Sequence, residues 1–276
     1  QIISKMGVVF RNSEFINEQD LVIKSSNRAF NYGDGFFETI KIIDTKPFNF
    51  PAHYARFSLA CEVLKLKNEE SLGSLLSIIN NLINQNNLIN GSVKIHVSRE
   101  EGGKYQPKSK GCEMMINAYS GFGFEQNIPV SLCVFSDEVK TMGRLSNIKS
   151  VNAAVSVLGA IHAKELGFEN AILRNAKGNY IEATNSSLFI IKDNVIYTPP
   201  LSDGCIDGTM RAWVLNNDKV VEKSLSLADI KQSDEVFITN ALTGITAVKG
   251  VEETIFTDFN YADELQNKLI SLSSDL

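Results

Sequence analysis

The sequence predicts a mixed α/β (α+β) fold with two domains around a cleft. Its 276 residues exceed the usual size of one domain. Segments with strand and helix periodicity alternate along the chain, and this pattern pauses near SGFGFEQN. We therefore place a smaller N-terminal α/β domain at residues 1–122 and a larger C-terminal domain at residues 123–276.

Composition and charge exclude several classes of function. Hydrophobic residues make up 43% and charged residues 21% of the chain, which is ordinary for a soluble globular enzyme. The formal net charge of -5 argues against a nucleic-acid or anionic-membrane surface. Four scattered cysteines and three scattered histidines do not indicate a metal site. The first residues lack a signal-peptide pattern, and no apolar run approaches the ~20 residues that span a bilayer, so we expect a cytoplasmic protein.

The first half of the chain contains four predicted strands and two predicted helices. Alternating or continuous apolar residues predict the strands. Apolar residues at helical spacing predict the helices, as at Phe57, Ala60, Cys61 and Leu64. In chain order the segments are the strands KMGVVFRN and GFFETIKIID, a turn at TKPF, the helices HYARFSLACEVLKL and SLGSLLSIINNLINQNNL, and the strands SVKIHVSRE and EMMINAYS.

The second half begins with the predicted strand PVSLCVFS and continues to a helix that follows Lys149. Gly167 suits the C-cap of that helix. One face of the helix carries Ala154, Val155, Leu158, Ile161 and His162. The later segments are the hairpins AILRNAKGNYIEA and SSLFIIKDNVIYTPP, a helix from GTMRAWVL, and a strand with a tight loop in DEVFITNALTGITAVKG. EGGKY is too short for a dinucleotide fingerprint, so a doubly wound fold is not expected.

Lys149 and Glu182 form a pair that one kind of cofactor requires. A lysine amine that is neutral part of the time can hold an aldehyde as a Schiff base. A buried carboxylate needs a charged or hydrogen-bonding partner, and a protonated pyridine nitrogen supplies one. Taken singly, both residue types are usually solvated surface groups. Their order along the chain is what makes them candidates.

Seven segments occur in a fixed order between about Val8 and Val251, and together they resemble a known family. They are YGDGFFETI, HYARF, IKSVN, YIEATNSSLF, YTPPL, GTMR and TNALTGITAV. This set resembles the class IV (fold type IV) family of pyridoxal 5'-phosphate (PLP) enzymes, which contains branched-chain aminotransferases, D-amino-acid aminotransferases and 4-amino-4-deoxychorismate lyases. The resemblance implies a two-domain fold like that of D-amino-acid aminotransferase, PLP bound by the C-terminal domain, a small-molecule amine as substrate, and a homodimer.

The resemblance implies roles for individual residues around the cofactor. Lys149, in the family's Lys-x-x-Asn helix start, would carry PLP and shuttle the proton. Glu182 would hold the pyridine nitrogen. Arg56, in the family's His-x-x-Arg, would anchor the phosphate, as suits a guanidinium group.

Main-chain groups are also implied in the phosphate site. The backbone N–H groups of Thr209 and Met210 would point at the phosphate from a helix N-terminus. Asn240 and Ala241 match a second backbone contact, although relatives usually carry Ser or Thr where this chain has Ala241.

Three residues are implied on the substrate side, and one position departs from the family. Tyr32 and Phe37 match positions that line the substrate, and Lys104 could bind a substrate carboxylate. Many relatives have Tyr or Arg directly after the Asn of the lysine motif, near the cofactor's phenolic oxygen. This chain has Ala153 there, so another group or water would fill that role.

The lyase reaction fits the motifs best, and an aminotransferase is the alternative. SREEGGKYQP, GTMR and TNALTGITAV resemble the lyases, whereas FFET is shared with aminotransferases and a glycine is missing from the first segment. We therefore predict conversion of 4-amino-4-deoxychorismate to 4-aminobenzoate and pyruvate, a step of the folate pathway. A branched-chain or D-amino-acid aminotransferase is the second candidate. A non-catalytic PLP-binding relative is disfavoured because Lys149, Glu182 and Arg56 are all present.

Overall fold

The computed structural model describes residues 7–274, and no helix in that range is long and apolar enough to cross a membrane. The chain divides into two compact units. The first contains the residues up to Gly123, the segment Ile148–Asn152 and the residues from Ser273. The second contains Phe124–Asn147 and Ala153–Leu272. This division differs from the contiguous ranges 1–122 and 123–276, because the segment around Lys149 pairs with a strand of the first unit.

The first unit is a six-stranded antiparallel sheet with two longer helices packed on one face. The strand order is β2-β1-β6-β5-β3-β4. The elements are β1 (Val8–Arg11), β2 (Glu14–Asn17), α1 (Arg28–Tyr32), β3 (Gly35–Ile43), β4 (Lys46–Pro47), α2 (Phe50–Leu64), α3 (Leu72–Gln85), β5 (Gly91–Arg99) and β6 (Cys112–Ser120). All six predicted segments of this half form as expected, apart from Lys5 and Met6 of the first strand, which lie outside the described residues.

The alternation along β3 assigns its side chains to two faces. Phe36, Ile40 and Ile42 are buried in one core with α2 and α3. Because successive strand residues point to opposite faces, Glu38 faces the same helices, whereas Phe37 faces the other side of the sheet. This alternation separates the two groups of site residues described below.

The second unit is built on a nine-stranded mixed sheet. The order is β12-β11-β10-β13-β14-β7-β8-β9, with β15 beside β14, and β9 also pairs with β10, so that six strands close on themselves. The elements are β7 (Val130–Lys140), α4 (Arg144–Asn147), α5 (Ala154–Leu166), β8 (Asn170–Asn175), β9 (Tyr180–Ala183), β10 (Ser186–Lys192), β11 (Val195–Thr198), α6 (Thr209–Asn217), β12 (Val220–Glu222), α7 (Leu227–Lys231), β13 (Glu235–Asn240), β14 (Gly244–Val251), β15 (Thr254–Ile255) and α8 (Asn260–Ser274).

The hairpins, the turn and the helix cap that local patterns predicted in the second half are confirmed. β7 pairs in parallel with β8 and β14, whereas β8–β9 and β10–β11 are antiparallel hairpins, so the sheet is mixed. The tip of the second hairpin has the two positive φ angles of a type I′ turn, 51° at Asp193 and 60° at Asn194. Gly167 caps α5 with φ 81°. The predicted tight loop after β13 leads into a further strand, β14.

The apolar face of α5 packs on the sheet only in part. Val155 and His162 contact the core around Phe135, whereas Leu158 and Ile161 are 46% and 49% exposed. Gly159 and Ala163 are the buried residues of the helix. A Cβ atom on Gly159 would lie 2.9 Å from Leu173 Cδ2, so the helix approaches the sheet through its smallest residue. Helical spacing identified the helix but only part of the face that meets the sheet.

Candidate active site

Lys149 lies in an extended segment beside β3, not at the start of a helix. The N–H of Phe37 donates to the Lys149 carbonyl (2.9 Å), and the N–H of Val151 donates to the Gly35 carbonyl (3.1 Å). The α5 helix begins later, at Ala154. The half-buried Lys149 ammonium lies over the Phe37 ring, 4.8 Å from its centroid, in a cation–π contact. Strand β3 thus fixes the main chain from Lys149 to Val151, and the lysine amine lies over the aromatic ring.

Arg56 is held by two buried neighbours on the opposite face of β3. Its Nε and Nη2 donate to the two carboxylate oxygens of Glu38, each at 2.7 Å, and His53 Nδ1 lies 2.8 Å from Glu38 Oε2. Burial alone would raise the pKa of Glu38, but the charge and hydrogen bonds of Arg56, assisted by His53, hold it at about 2. Burial lowers the pKa of His53, against the raising effect of Glu38. Glu38 therefore stays ionised and orients the guanidinium.

A second arginine network shapes the loop that carries Lys104. The buried Arg28 donates from Nε to Asp34 (2.8 Å) and from Nη1 to the carbonyls of Gly102 (3.1 Å) and Lys104 (2.8 Å). Arg99 donates to the same Asp34 at 2.9 Å. Burial would raise the pKa of Asp34, but the two arginines outweigh it and lower that pKa. The backbone of the loop is fixed, while the Lys104 side chain is exposed.

Tyr32 lies at the end of α1, where Arg28 also orients it. The Arg28 guanidinium is 4.8 Å from the centroid of the Tyr32 ring, and Tyr105 packs against the same ring at a centroid distance of 5.7 Å. Tyr32 remains 41% exposed. Its predicted place beside the substrate stays a prediction, whereas Phe37 and Lys149 are in direct contact.

Glu182 is buried in β9 and has two partners that the sequence analysis missed. It is 3% exposed, forms an ion pair with Lys140, and accepts a hydrogen bond from the Ile206 N–H (2.7 Å). Lys140 ends β7 and lies 42 residues earlier in the chain, so no local pattern connects the two. Each carboxylate oxygen accepts about two hydrogen bonds, so Glu182 keeps acceptor capacity for a further donor.

The strand pairing sets two hydroxyl groups in a row with Glu182. Glu182 lies opposite Ser187 of β10, and Ser187 lies opposite Thr239 of β13. Directly opposed residues share a face, and neighbouring strands are about 4.8 Å apart. The hydroxyl of Thr239 is buried and has no hydrogen-bond partner among the described residues. The row therefore runs from the carboxylate of Glu182 to the Thr239 hydroxyl, which has no acceptor among the described residues.

The N-terminus of α6 meets this row at Ser187. Gly208 is the N-cap, and a Cβ atom placed on it would lie 2.5 Å from Ser187 Oγ. Thr209 and Met210 begin the helix and are 4% and 2% exposed. The N–H groups of a first helical turn have no partner within the helix and attract an anion. The hydroxyl groups and the helix end together offer donors of the kind a phosphate group accepts.

Asn240 shapes the loop between β13 and β14. Its Oδ1 accepts from the N–H groups of Leu242 (2.9 Å) and Thr243 (3.0 Å), and its Nδ2 donates to Ser186 Oγ (3.1 Å). Ala241 is half-buried in the turn that results. The side chain of Asn240 is thus engaged in the loop, and its predicted contact to phosphate can come only from the main chain.

Ala153 is the N-cap of α5 and supplies no side-chain cap. The neighbouring Asn152 donates from Nδ2 to the Gly33 carbonyl (3.2 Å). A Cβ atom on Gly33 would lie 2.1 Å from Asn152 Oδ1, and Gly33 has φ 65°, so a side chain at this position would be strained and would displace Asn152. The Asn of the lysine motif therefore fastens the segment to the end of α1.

Comparison with known proteins identifies the family. The model of the family described as "Amino-transferase class IV" matches residues 35–251. D-alanine aminotransferase of Staphylococcus epidermidis is 25% identical over 257 residues, 90% of each chain. Aminodeoxychorismate lyase of Vibrio harveyi is 28% identical over 237 residues, 82% of this chain and 86% of the relative. A Legionella pneumophila structure with the provisional name 4-amino-4-deoxychorismate lyase superposes with a TM-score of 0.84 at 26% identity, covering 94% of this chain and 96% of that one.

The fold and these matches define an enzyme, either a lyase or an aminotransferase. The chain belongs to the class IV aminotransferase family, because the family description covers most of its length. The predicted fold class and the predicted family are thereby confirmed. The structure adds Glu38 and His53 beside Arg56 in the first unit, and Lys140, Ser187 and Thr239 beside or in the row of Glu182 in the second. The motifs around Arg56, Glu182 and Asn240 could have indicated all of these except Lys140, which no local pattern connects to Glu182.

Proposed function

We propose that the protein is a PLP-dependent lyase that converts 4-amino-4-deoxychorismate to 4-aminobenzoate and pyruvate. The observation that supports PLP as the cofactor is the row of Glu182, Ser187 and Thr239. The N-terminus of α6 meets this row at Ser187. A pyridinium nitrogen suits the buried carboxylate, and a phosphate suits the two hydroxyl groups and the helix N–H groups. A Cβ atom at Gly208 would narrow this cradle, and the hydroxyl of Thr239 has no hydrogen-bond partner within residues 7–274. The residues present thus fit PLP.

Each residue of the site has a part in the proposed reaction. When bound, PLP supplies an electron sink for the pair left by a broken C–H bond. Lys149 would hold the cofactor, and its amine, once the substrate amine has displaced it, would accept the proton from the substrate carbon. Glu182 would keep the pyridine nitrogen protonated. Arg56, oriented by Glu38, and the N–H groups of α6 would bind the phosphate. Asn240 shapes the loop that offers Ala241 as a further backbone contact.

The lyase reaction is supported by the loop motif and by two relatives. SREEGGKYQP forms the end of β5 and the loop that Arg28 fixes through its carbonyl groups. The V. harveyi and L. pneumophila relatives carry lyase names. In the lyase reaction the substrate loses pyruvate, and the ring that remains becomes aromatic. The D-alanine aminotransferase of S. epidermidis, which matches a larger share of the chain than the V. harveyi lyase does, favours transamination as the second candidate. The homodimer implied by the family and the cytoplasmic location expected from the sequence stay predictions.

One set of assays tests these proposals in order. PLP uptake should give a visible absorbance band that borohydride removes, with the reduced label on Lys149. Incubation with 4-amino-4-deoxychorismate should release 4-aminobenzoate and pyruvate in equal amounts, and Lys149→Ala should abolish this release, whereas Lys110→Ala at an exposed lysine should not. Protein that takes up no PLP refutes the cofactor. Pyridoxamine 5'-phosphate formed with D-alanine or leucine, without product from aminodeoxychorismate, refutes the lyase in favour of an aminotransferase.

A further inference from the structure

On the side away from β13, the start of strand β14 is held by side chains. β14 pairs with β13 from Gly244 onward, but β7 reaches it only at Val248. At Ile245, the main-chain groups that face away from β13 therefore need other partners. The Ile245 N–H donates to Gln266 Oε1 (2.8 Å), and the Ile245 carbonyl accepts from Asn127 Nδ2 (2.7 Å). Two amide side chains thus take the place of a neighbouring strand.

Gln266, on α8, uses most of the hydrogen-bonding capacity of its buried amide group. It is 1% exposed, and besides its bond to Ile245, its Nε2 donates to the carbonyls of Thr243 (3.1 Å) and Glu125 (2.6 Å). Only an amide side chain can accept from one N–H and donate to two carbonyls in this way. A Cβ atom on Gly244, where φ is 76°, would lie 2.5 Å from Gln266 Oε1. The amide therefore lies directly against the main chain that joins β13 to β14.

The residues held in this way lie beside the proposed phosphate site. Ile245 is paired with Thr239 of β13, whose buried hydroxyl has no hydrogen-bond partner within residues 7–274. The loop of residues 241–243 joins the two strands and begins with Ala241, the predicted backbone contact. The carbonyl of its last residue, Thr243, accepts from both amide side chains, at 3.1 and 2.8 Å. The two amide groups therefore fix the strand pair and the loop that would supply these phosphate donors.

We propose that Gln266 is a positioning residue for the phosphate group of the cofactor. This inference rests on the proposed function, of which it uses only the PLP site. The amide of Gln266 holds Ile245 and Thr243 in place. The Thr239 hydroxyl and the Ala241 N–H are thereby ordered before a phosphate binds. Donors that are already ordered bind an anion without a further loss of conformational entropy. Without the amide, the loop has to become ordered on binding, and the phosphate contributes less to the affinity.

Absorbance titration with PLP and with pyridoxal, which lacks the phosphate group, tests this role. The proteins are the wild type, Gln266→Met, Asn127→Ala and the control Gln232→Met, which makes the same exchange at an exposed glutamine. The ratio of the pyridoxal to the PLP dissociation constant reports the contribution of the phosphate alone. We expect Gln266→Met to lower this ratio at least about tenfold, through weaker binding of PLP. Asn127→Ala should lower the ratio as well, and Gln232→Met should leave it unchanged.

Hydrogen exchange in the PLP-free proteins measures the order of the loop directly. The amide hydrogens of residues 240–245 should exchange faster in Gln266→Met than in the wild type, because the loop opens more often.

The ratio is measured within each variant, so a general loss of stability, which weakens the binding of both probes, does not imitate the effect. If Gln266→Met does not fold, Asn127→Ala decides the matter alone. An unchanged ratio, or unchanged exchange of the loop, overturns the role of Gln266 while the PLP site stands. A wild type that takes up no PLP refutes the proposed cofactor and this role with it. Neither measurement depends on whether the enzyme is a lyase or an aminotransferase, so the two proposals are tested separately.

Discussion

Replacing Glu38 by Gln should both destabilise the first unit and weaken the binding of PLP. The two oxygens of Glu38 accept from Arg56 Nε and Nη2 at 2.7 Å, and both side chains are buried. The substitution Glu38→Gln would keep the shape of the side chain but would leave the Arg56 guanidinium without its counter-charge. An uncompensated buried charge is among the more costly defects in a protein.

The size of the effect follows from the pKa of Glu38. That pKa is lowered from 4.5 to about 2, because the charge and hydrogen bonds of Arg56 outweigh the burial that would raise it. At about 1.4 kcal/mol per unit, ionised Glu38 stabilises the folded state by about 3 kcal/mol at pH 7. Because the folded pKa is the lower one, this contribution is complete above the unfolded value of 4.5 and disappears as the pH falls through about 2.

Urea unfolding of wild type, Glu38→Gln and the exposed control Glu14→Gln measures this contribution. We expect a loss of about 3 kcal/mol for Glu38→Gln at pH 7, which shrinks to about half at pH 3. The control should change by less than about 0.5 kcal/mol. PLP should bind to Glu38→Gln more weakly, since Arg56 is no longer oriented. A loss below about 1 kcal/mol at pH 7, or a loss independent of pH, would refute the reasoning.

Three further substitutions test the second unit. Lys140→Met should cost about 3 kcal/mol of stability in the PLP-free protein, because it leaves Glu182 buried without its cation. PLP should then raise the melting temperature of this variant by more than that of the wild type. An equal increase would contradict the pairing of Glu182 with the pyridinium. Gly208→Ala should weaken PLP binding at least about tenfold through its clash in the cradle, as measured by absorbance titration, while Gly123→Ala, which meets no atom within 4 Å, should not. Thr239→Val removes a hydroxyl group that lacks a partner among the described residues. The PLP-free variant should therefore keep its stability within about 1 kcal/mol, while its affinity for PLP falls. Unchanged affinity would exclude this hydroxyl from the phosphate site.

Local patterns in the sequence predicted most elements of the fold. The alternation along β3 and the helical spacing in α2 are properties of short segments, and the turn at Asp193–Asn194 needs residues that tolerate positive φ. Short or irregular elements such as α1 and β15 gave no comparable signal. The apolar spacing in α5 did not indicate how closely the helix approaches the sheet, which depends on the small size of Gly159 and Ala163.

The sequence allowed predictions for the candidate site where one residue acts within a motif. Lys149, Glu182 and Arg56 were predicted in this way. Their partners were not, because ion pairs such as Lys140–Glu182 depend on which strands become neighbours. The pairing of Lys149 with β3 depends on the same long-range arrangement, so the segment was assigned to the other domain.

The double pairing of β9, with β8 on one side and β10 on the other, bears on how this family can diversify. A strand bonded along both edges cannot slide or fray without breaking its neighbours, so Glu182 is the last part of the site to tolerate change. The side chains around Phe37, in contrast, project from a sheet face, where one can be exchanged without breaking a strand pairing. An exchange beside Phe37 can therefore change what lies over that ring, while the backbone that carries Glu182 stays in place.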